Sequence, residues 1–215
     1  MKIQKRIVGI CLAAMMILSG CSDHTQTPEE TSIPVVQLGG DLVCMEISRF
    51  SGGFVEDGTG APVTDVAAIL VSNNTGKFLE LATVTYKVGD RTATFKITGL
   101  PAGEQAWVLE QNKMQISEGD ELIFDECKSS YHSNPVRTTE DLEVTRQGNS
   151  VTVRNTTDKT LKNVCIYYKN RMSDGVFLGG ISYLINCGDL DAGASVQKSV
   201  AHFGDESEIV RFSYQ

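Results

Sequence analysis

A seventeen-residue stretch occurs twice in this chain, and that repetition constrains the fold more than any other feature. Residues 71–87 read VSNNTGKFLELATVTYK and residues 153–169 read VRNTTDKTLKNVCIYYK. Aligned without a gap, seven positions match: Val71/Val153, Asn73/Asn155, Thr75/Thr157, Lys77/Lys159, Leu79/Leu161, Tyr86/Tyr168 and Lys87/Lys169. A shorter match follows each copy, Leu100-Pro-Ala-Gly103 against Leu190-Asp-Ala-Gly193, displaced by eight further residues in the second. The chain reads as one β-module used twice.

Around the repeat, apolar and polar residues alternate with the period of a strand. In residues 42–50, Val43, Met45 and Ile47 fall on the face expected to turn inward, with Leu42, Cys44, Glu46 and Ser48 opposite. Residues 66–72 form an apolar run, and 79–88 alternate with Ala82, Val84, Tyr86 and Val88 on one side. Further strands are predicted at 92–98, 104–111 and 121–127, the last with Leu122 and Phe124 inward. The second copy predicts a hairpin over 142–154 and strands at 161–169, 184–187, 196–203 and 209–214. Between them, 173–183 (SDGVFLGGISY) reads as irregular and glycine-rich. Asn-Asn-Thr-Gly and similar clusters separate the strands, because Asn and Gly tolerate the left-handed backbone of tight turns. Six or seven short strands per copy and no long amphipathic helix predict two tandem antiparallel β-sandwiches. The expected division is 1–20 leader, 21–40 tether, 41–130 first module, 131–141 linker and 142–215 second module.

The leader carries Lys2, Lys5 and Arg6 ahead of an apolar run over 7–18, too short to span a bilayer. It ends Leu18-Ser19-Gly20-Cys21, which resembles the lipobox of bacterial lipoproteins. The resemblance implies cleavage before Cys21, lipidation of that residue and attachment to the cell membrane or outer membrane, outside the cytoplasm. Two acyl chains suffice for stable anchoring. Loss of residues 1–20 removes three cations and no acids, taking the net charge from −8 to −11. Such acidity argues against nucleic acid as a partner. The 22–38 stretch, polar with two prolines, reads as a flexible tether.

The pattern V-x-N-x-T-x-K, a strand with Tyr near its end, then L-x-A-G, resembles the small immunoglobulin-like modules of bacterial surface lipoproteins, such as the FxLYD type. This chain has Val84-Thr-Tyr-Lys87 and Ile166-Tyr-Tyr-Lys169 where that family carries its signature run. The resemblance implies interaction or spacer roles.

For chemistry, the chain offers little. Its histidines, His24, His132 and His202, fall in the tether, the linker and a strand end, and no nucleophile motif or phosphate loop occurs. The acid pairs Glu56-Asp57, Asp120-Glu121 and Asp205-Glu206 sit in glycine-bearing turns. No metal site and no cofactor are expected. Alternation puts Cys44, Cys127 and Cys165 outward, which favours the pairings Cys44–Cys127 and Cys165–Cys187, with reduced thiols as the alternative. Asn73 and Asn155 match glycosylation sequons but read as turn formers. Tyr167, Phe177, Leu178, Ile181 and Tyr183 are the candidate binding residues: either an exposed patch docks a protein or glycan, or these side chains pack between the modules. The expected function is non-catalytic binding or scaffolding in the cell envelope. The alternatives are a cell-envelope hydrolase or accessory subunit with an intermodule site, and a thiol-redox lipoprotein.

Overall fold

In a computed structural model, residues 2–3, 35–132 and 139–215 are described. The leader, Cys21, His24, most of the tether and the centre of the 131–141 linker lie outside them. The described chain is all-β. Two short strands, β1 (Lys2–Ile3) and β2 (Val36–Gly39), precede β3 (Leu42–Gly53), β4 (Pro62–Asn73), β5 (Phe78–Val88), β6 (Arg91–Leu100), β7 (Gln105–Leu109) and β8 (Ile123–His132). Then come β9 (Leu142–Gln147), β10 (Ser150–Asn155), β11 (Leu161–Arg171), β12 (Phe177–Leu190), β13 (Ser195–Ser199) and β14 (Ser207–Ser213). Residues 36–39, expected in the tether, therefore belong to a sheet. Residues 177–183, expected irregular, open the longest strand.

Each copy of the repeat makes two three-stranded layers with the same strand order. The first copy forms β3-β4-β7 and β6-β5-β8; the second forms β9-β10-β13 and β12-β11-β14. The copies then join edge to edge. β7 pairs in parallel with β12 through Ala106/Phe177 and Trp107/Leu178, fusing one layer from each copy into a single eight-stranded sheet.

The two remaining layers lie on opposite faces of that sheet. Ile166 and Tyr168 on β11 enter the second core with Val151, Val153, Ile185, Cys187 and Phe203. Their neighbour Tyr167 points the other way and packs against the first core, which holds Ile69, Val84, Tyr86, Phe95 and Val108. That first core also takes in Phe177 and Val210 from the second copy. A third cluster of Phe50, Phe54, Val66, Ala68, Trp107 and Leu109 occupies the reverse face of the first half, with Leu178 and Met172 packed against it.

The matched residues of the repeat do the same work twice. Asn73 and Asn155 are both fully buried. The Asn73 Nδ2 donates to the carbonyls of Lys77, Leu100 and Pro101, and the Asn155 Nδ2 to those of Lys159, Leu190 and Asp191. Each Oδ1 accepts from the hydroxyl and N–H of the Thr two residues on. One side chain thus ties the turn after its own strand to the L-x-A-G loop, satisfying backbone groups that would otherwise be buried without partners.

Two bulges overturn the expected facing of the cysteines. The β3–β4 register shifts between Cys44 and Glu46, and the β5–β8 register shifts between Thr85 and Tyr86. An extra residue reverses the alternation beyond it. Leu42 and Cys44 therefore line the first core, Val43 is buried on the opposite face, and Met45 is 38% exposed. Cys127 packs against the same core as Cys44.

Candidate functional site

The segments that distinguish the two copies meet each other. In the first copy, β3 and β4 are joined by residues 54–61, whereas the corresponding β9–β10 connection is the two-residue turn Gly148-Asn149. The longer loop is closed on itself: Phe54 N–H donates to Ala61 O, and Gly60 N–H to Phe54 O. Phe54 is buried beneath it, and Lys113 lies 4.6 Å above the Phe54 ring while pairing with Asp57 at 2.9 Å. Held to the first half in this way, the loop reaches across to β12 as a strap.

Its gripping residue is Glu56. Beyond Leu178 the strands β7 and β12 diverge, and the carboxylate sits in the fork. Oε1 accepts from Leu109 N–H on β7 and Gly180 N–H on β12, both at 2.8 Å. Oε2 accepts from Gly180 N–H at 3.0 Å and Ile181 N–H at 3.1 Å. Three amides at the point where the sheet splits thus find an acceptor. The Tyr183 hydroxyl adds a 3.2 Å bond to Val55 O in the same strap.

Lys169 meets the same stretch of β12 from the other side. Its Nζ donates to the carbonyls of Gly179 (3.1 Å), Gly180 (2.7 Å) and Ile181 (3.0 Å), and the residue is 1% exposed. Carboxylate and ammonium are linked through peptide groups: Gly180 donates to Glu56 and accepts from Lys169. The glycines are required here. A Cβ on Gly179 would lie 2.9 Å from Val55 Cγ2, at a φ of 94° that L side chains avoid. One on Gly180 would overlap Lys96 O and lie 2.6 Å from Val108 Cγ1.

Burial dominates the electrostatics. Desolvation pushes the Glu56 carboxyl up, opposed by its three N–H donors and by Lys169. Desolvation pulls Lys169 down to about 7, opposed by Glu56. Its three carbonyl acceptors suit the ammonium form, since neutral amine would aim a lone pair at one of them. Asp57, on the exposed side of the strap, behaves differently: the Thr59 hydroxyl and N–H, with Lys113, hold it down at about 2.

Arg171 extends the joint. Its Nε donates to Glu208 at 2.6 Å, its Nη1 to Glu104 of the first half at 3.0 Å and to Gly175 O, and its guanidinium lies 4.0 Å over Phe177. An open cleft of about 490 Å³ runs beside it, lined by Arg146, Met172, Asp205, Glu206 and Glu208. Arg146 is engaged as well, donating to Ser207 O and lying 5.2 Å over Phe203.

The five candidate binding residues are placed in or around this joint, not on a free patch. Phe177 is fully buried, and Leu178 packs on the third cluster. Ile181 is half-buried, with its backbone in the fork. Tyr183 stacks between Tyr168 (5.2 Å) and His202 (5.4 Å). Tyr167 is half-buried, with the Arg211 guanidinium 5.4 Å over its ring. Among the described residues the large exposed apolar side chains are Val35, Met45, Leu81, Ile123 and Leu184.

The expected disulfides are not formed: Cys44, Cys127, Cys165 and Cys187 are free thiols. Cys44, Cys127 and Cys187 line cores as small hydrophobes, and burial pushes all three thiols up, Cys187 to about 11. Cys165 is half-buried on the face of β11 opposite Ile166. Among the described residues, no three His, Cys, Asp or Glu side chains gather as a metal site, and no helix is long and apolar enough to cross a membrane. In the sequence, Glu56 reads as half of the acid pair Glu56-Asp57 in a glycine-bearing turn, with nothing to mark it as a tie between the copies. Its partners lie more than fifty and more than a hundred positions away, beyond any local pattern.

No family model and no curated protein matches this chain. Among solved structures, a similarity is found to the C-terminal globular domain of an oligosaccharyltransferase from Pyrococcus abyssi, at 12% identity and a TM-score of 0.17. It covers 81% of this chain and 46% of that one, so this chain spans less than half the length of its neighbour. A TM-score that low carries no argument about fold or activity.

Proposed function

We propose that the chain is a non-catalytic lipoprotein of the cell envelope. It is anchored through Cys21 and presents two immunoglobulin-like β-sandwich modules, 41–130 and 142–215, as one rigid scaffold for an envelope protein or glycan. One observation supports the scaffold reading above others. The segments unique to each copy, 54–61 in the first and the extra residues opening β12 in the second, both go into the joint between them. Chain length that could have formed a catalytic loop instead fastens the copies together. Glu56 and Lys169 are saturated by backbone partners, which suits holding and not turnover. The leader motif Leu18-Ser-Gly-Cys21 supports the anchor.

The test is paired. Cys21→Ser should move the protein from the membrane to the soluble fraction of fractionated cells. Crosslinking in intact cells should then capture an envelope protein or glycan with the anchored form. A protein that stays membrane-bound without Cys21 sinks the anchor reading. Capture of nothing but lipid sinks the scaffold reading.

A further inference from the structure

The joint between the halves combines a short strand pairing with a buried charge pair, and the two differ in how they would fail. Direct β7–β12 pairing is limited to two residues on each strand. Phe177 and Val210 add apolar contact to the first core, while the second core is complete without any residue of the first half. The other attachments include the Arg171–Glu104 and Arg211–Glu80 pairs, two bonds between Ser182 and Thr98 of β6, and the strap. Glu56 ties one amide of β7 to two of β12, and Lys169, inaccessible to solvent, reaches the carbonyls of the same β12 residues.

We propose that Glu56 and Lys169 form a charge-coupled latch: with both charges in the fork the two halves move as one body, and loss of the carboxylate charge alone lets them part there while each core stays folded. The physical reason is asymmetric. Removing the carboxylate leaves Lys169 either as a stranded ammonium or as an amine whose lone pair faces one of three carbonyls, and hydration relieves both. For Lys169 hydration requires β12 to leave the fork, because its amine is enclosed by the carbonyls of residues 179–181. Removing both partners strands no charge, and under-satisfied carbonyls are better tolerated than a stranded ammonium. The latch is thus defined by coupling between the two residues and not by the presence of either.

The opening has a direct chemical readout. Lys169 is acylated by an amine-reactive reagent only when the fork is open, whereas Lys87, at the matching position of the first copy, is exposed and serves as an internal control. Pulsed acylation of the full chain, read by peptide mass spectrometry, should label Lys169 in Glu56→Gln on the order of a thousand-fold faster than in wild type. Hydrogen exchange should follow the same course. The amides of Leu109, Gly180 and Ile181 should lose protection in Glu56→Gln, while those of Val84 and Val153 in the two cores keep it. In Glu56→Gln/Lys169→Met, those three fork amides should regain most of their protection.

The proposal is overturned if Lys169 is as protected in Glu56→Gln as in wild type. It is overturned equally if the double variant exchanges as fast at the fork as the single one. Should Glu56→Gln fail to fold, wild-type exchange under increasing denaturant decides the matter. Fork amides opening with a smaller denaturant dependence than core amides support a latch; identical dependence sinks it.

Discussion

Lys87 and Lys169 occupy the same place in the two copies of the repeat, each following a Tyr that is buried in its own core. Lys87 stands in water, bonding Thr92 and pairing loosely with Asp125 at 3.4 Å. Lys169 is sealed in the fork. The sequence context hardly differs; what differs is the layer above. The outer face of β5 faces solvent. The same face of β11 is covered where the first half overlaps it, with β6 against the Gly180 backbone. A residue's role in a repeat is therefore set by which copy's surface becomes an interface. The strands at the joint teach the same lesson: β7 reads Gln-Ala-Trp-Val-Leu with its last four residues buried, while its counterpart β13 reads Ser-Val-Gln-Lys-Ser with alternating exposure. The first is covered on both faces, and the second is a polar edge carrying a Lys.

The comparison can be broken most forcefully at the glycines. Gly180→Ala drives a methyl into Lys96 O and should destabilise the protein by roughly 3 kcal/mol or more in denaturant unfolding. Gly188→Ala, further along the same strand at a φ of 75° with open space around it, should be limited to backbone strain of about 1–2 kcal/mol. Equal effects would show that the close approach at the fork is not what requires glycine.

Next in size, Lys169→Met leaves Glu56 buried without its counter-charge and should lower stability by about 3–5 kcal/mol, while Lys87→Met should stay within about 0.5 kcal/mol. The same pair differ in pH dependence. Lys169 is held at about 7 in the folded protein, against about 10.4 in an unfolded chain. Between those values the unfolded chain binds the extra proton, so stability contributed at this site rises with pH and is lost as pH falls toward 7. Unfolding of wild type minus Lys169→Met, measured from pH 7 to pH 10, should show that rise; a flat difference would break the argument.

Where the copies match, effects should match. Asn73→Ala and Asn155→Ala each remove three buried donor contacts and should cost about 2–3 kcal/mol alike, as read by thermal or denaturant unfolding. A large difference between them would mean that the repeat is similar in form but not in energetics. The smallest effect is expected at Tyr86, whose buried hydroxyl finds no nitrogen or oxygen partner and has the Cys44 thiol beside it. Tyr86→Phe should change stability by less than about 1 kcal/mol.

Much of the fold was legible because it is local. Alternation, the apolar run at 66–72 and, for β7, the repeat itself located the twelve strands from β3 to β14, though not the full length of β12, and the shared Asn, Thr and Leu marked turns and core positions that serve identically in both copies. Bulges were not legible. A single extra residue at Met45 or Asp125 leaves the pattern nearly intact while turning Cys44 and Cys127 inward. The joint was half legible: Phe177, Leu178, Ile181 and Tyr183 could be weighed as packing between the modules, while Gly179-Gly180 fell in a stretch that reads as irregular. Glu56 carried no such mark, since an acid in a glycine-rich loop looks like any other until the distant amides it binds are in place.

The exchange of core residues between the halves also sets an order of events during synthesis. The first core lacks Phe177 and Val210, and β7 lacks its neighbour, until the second half has been made. For that interval Ala106, Trp107, Val108 and Leu109 form a short apolar edge strand with unpaired backbone groups, the kind of template that recruits stray strands. A nascent or truncated chain ending near the 131–141 linker would therefore be the aggregation-prone species, and completion of β12 is the event that closes its edge.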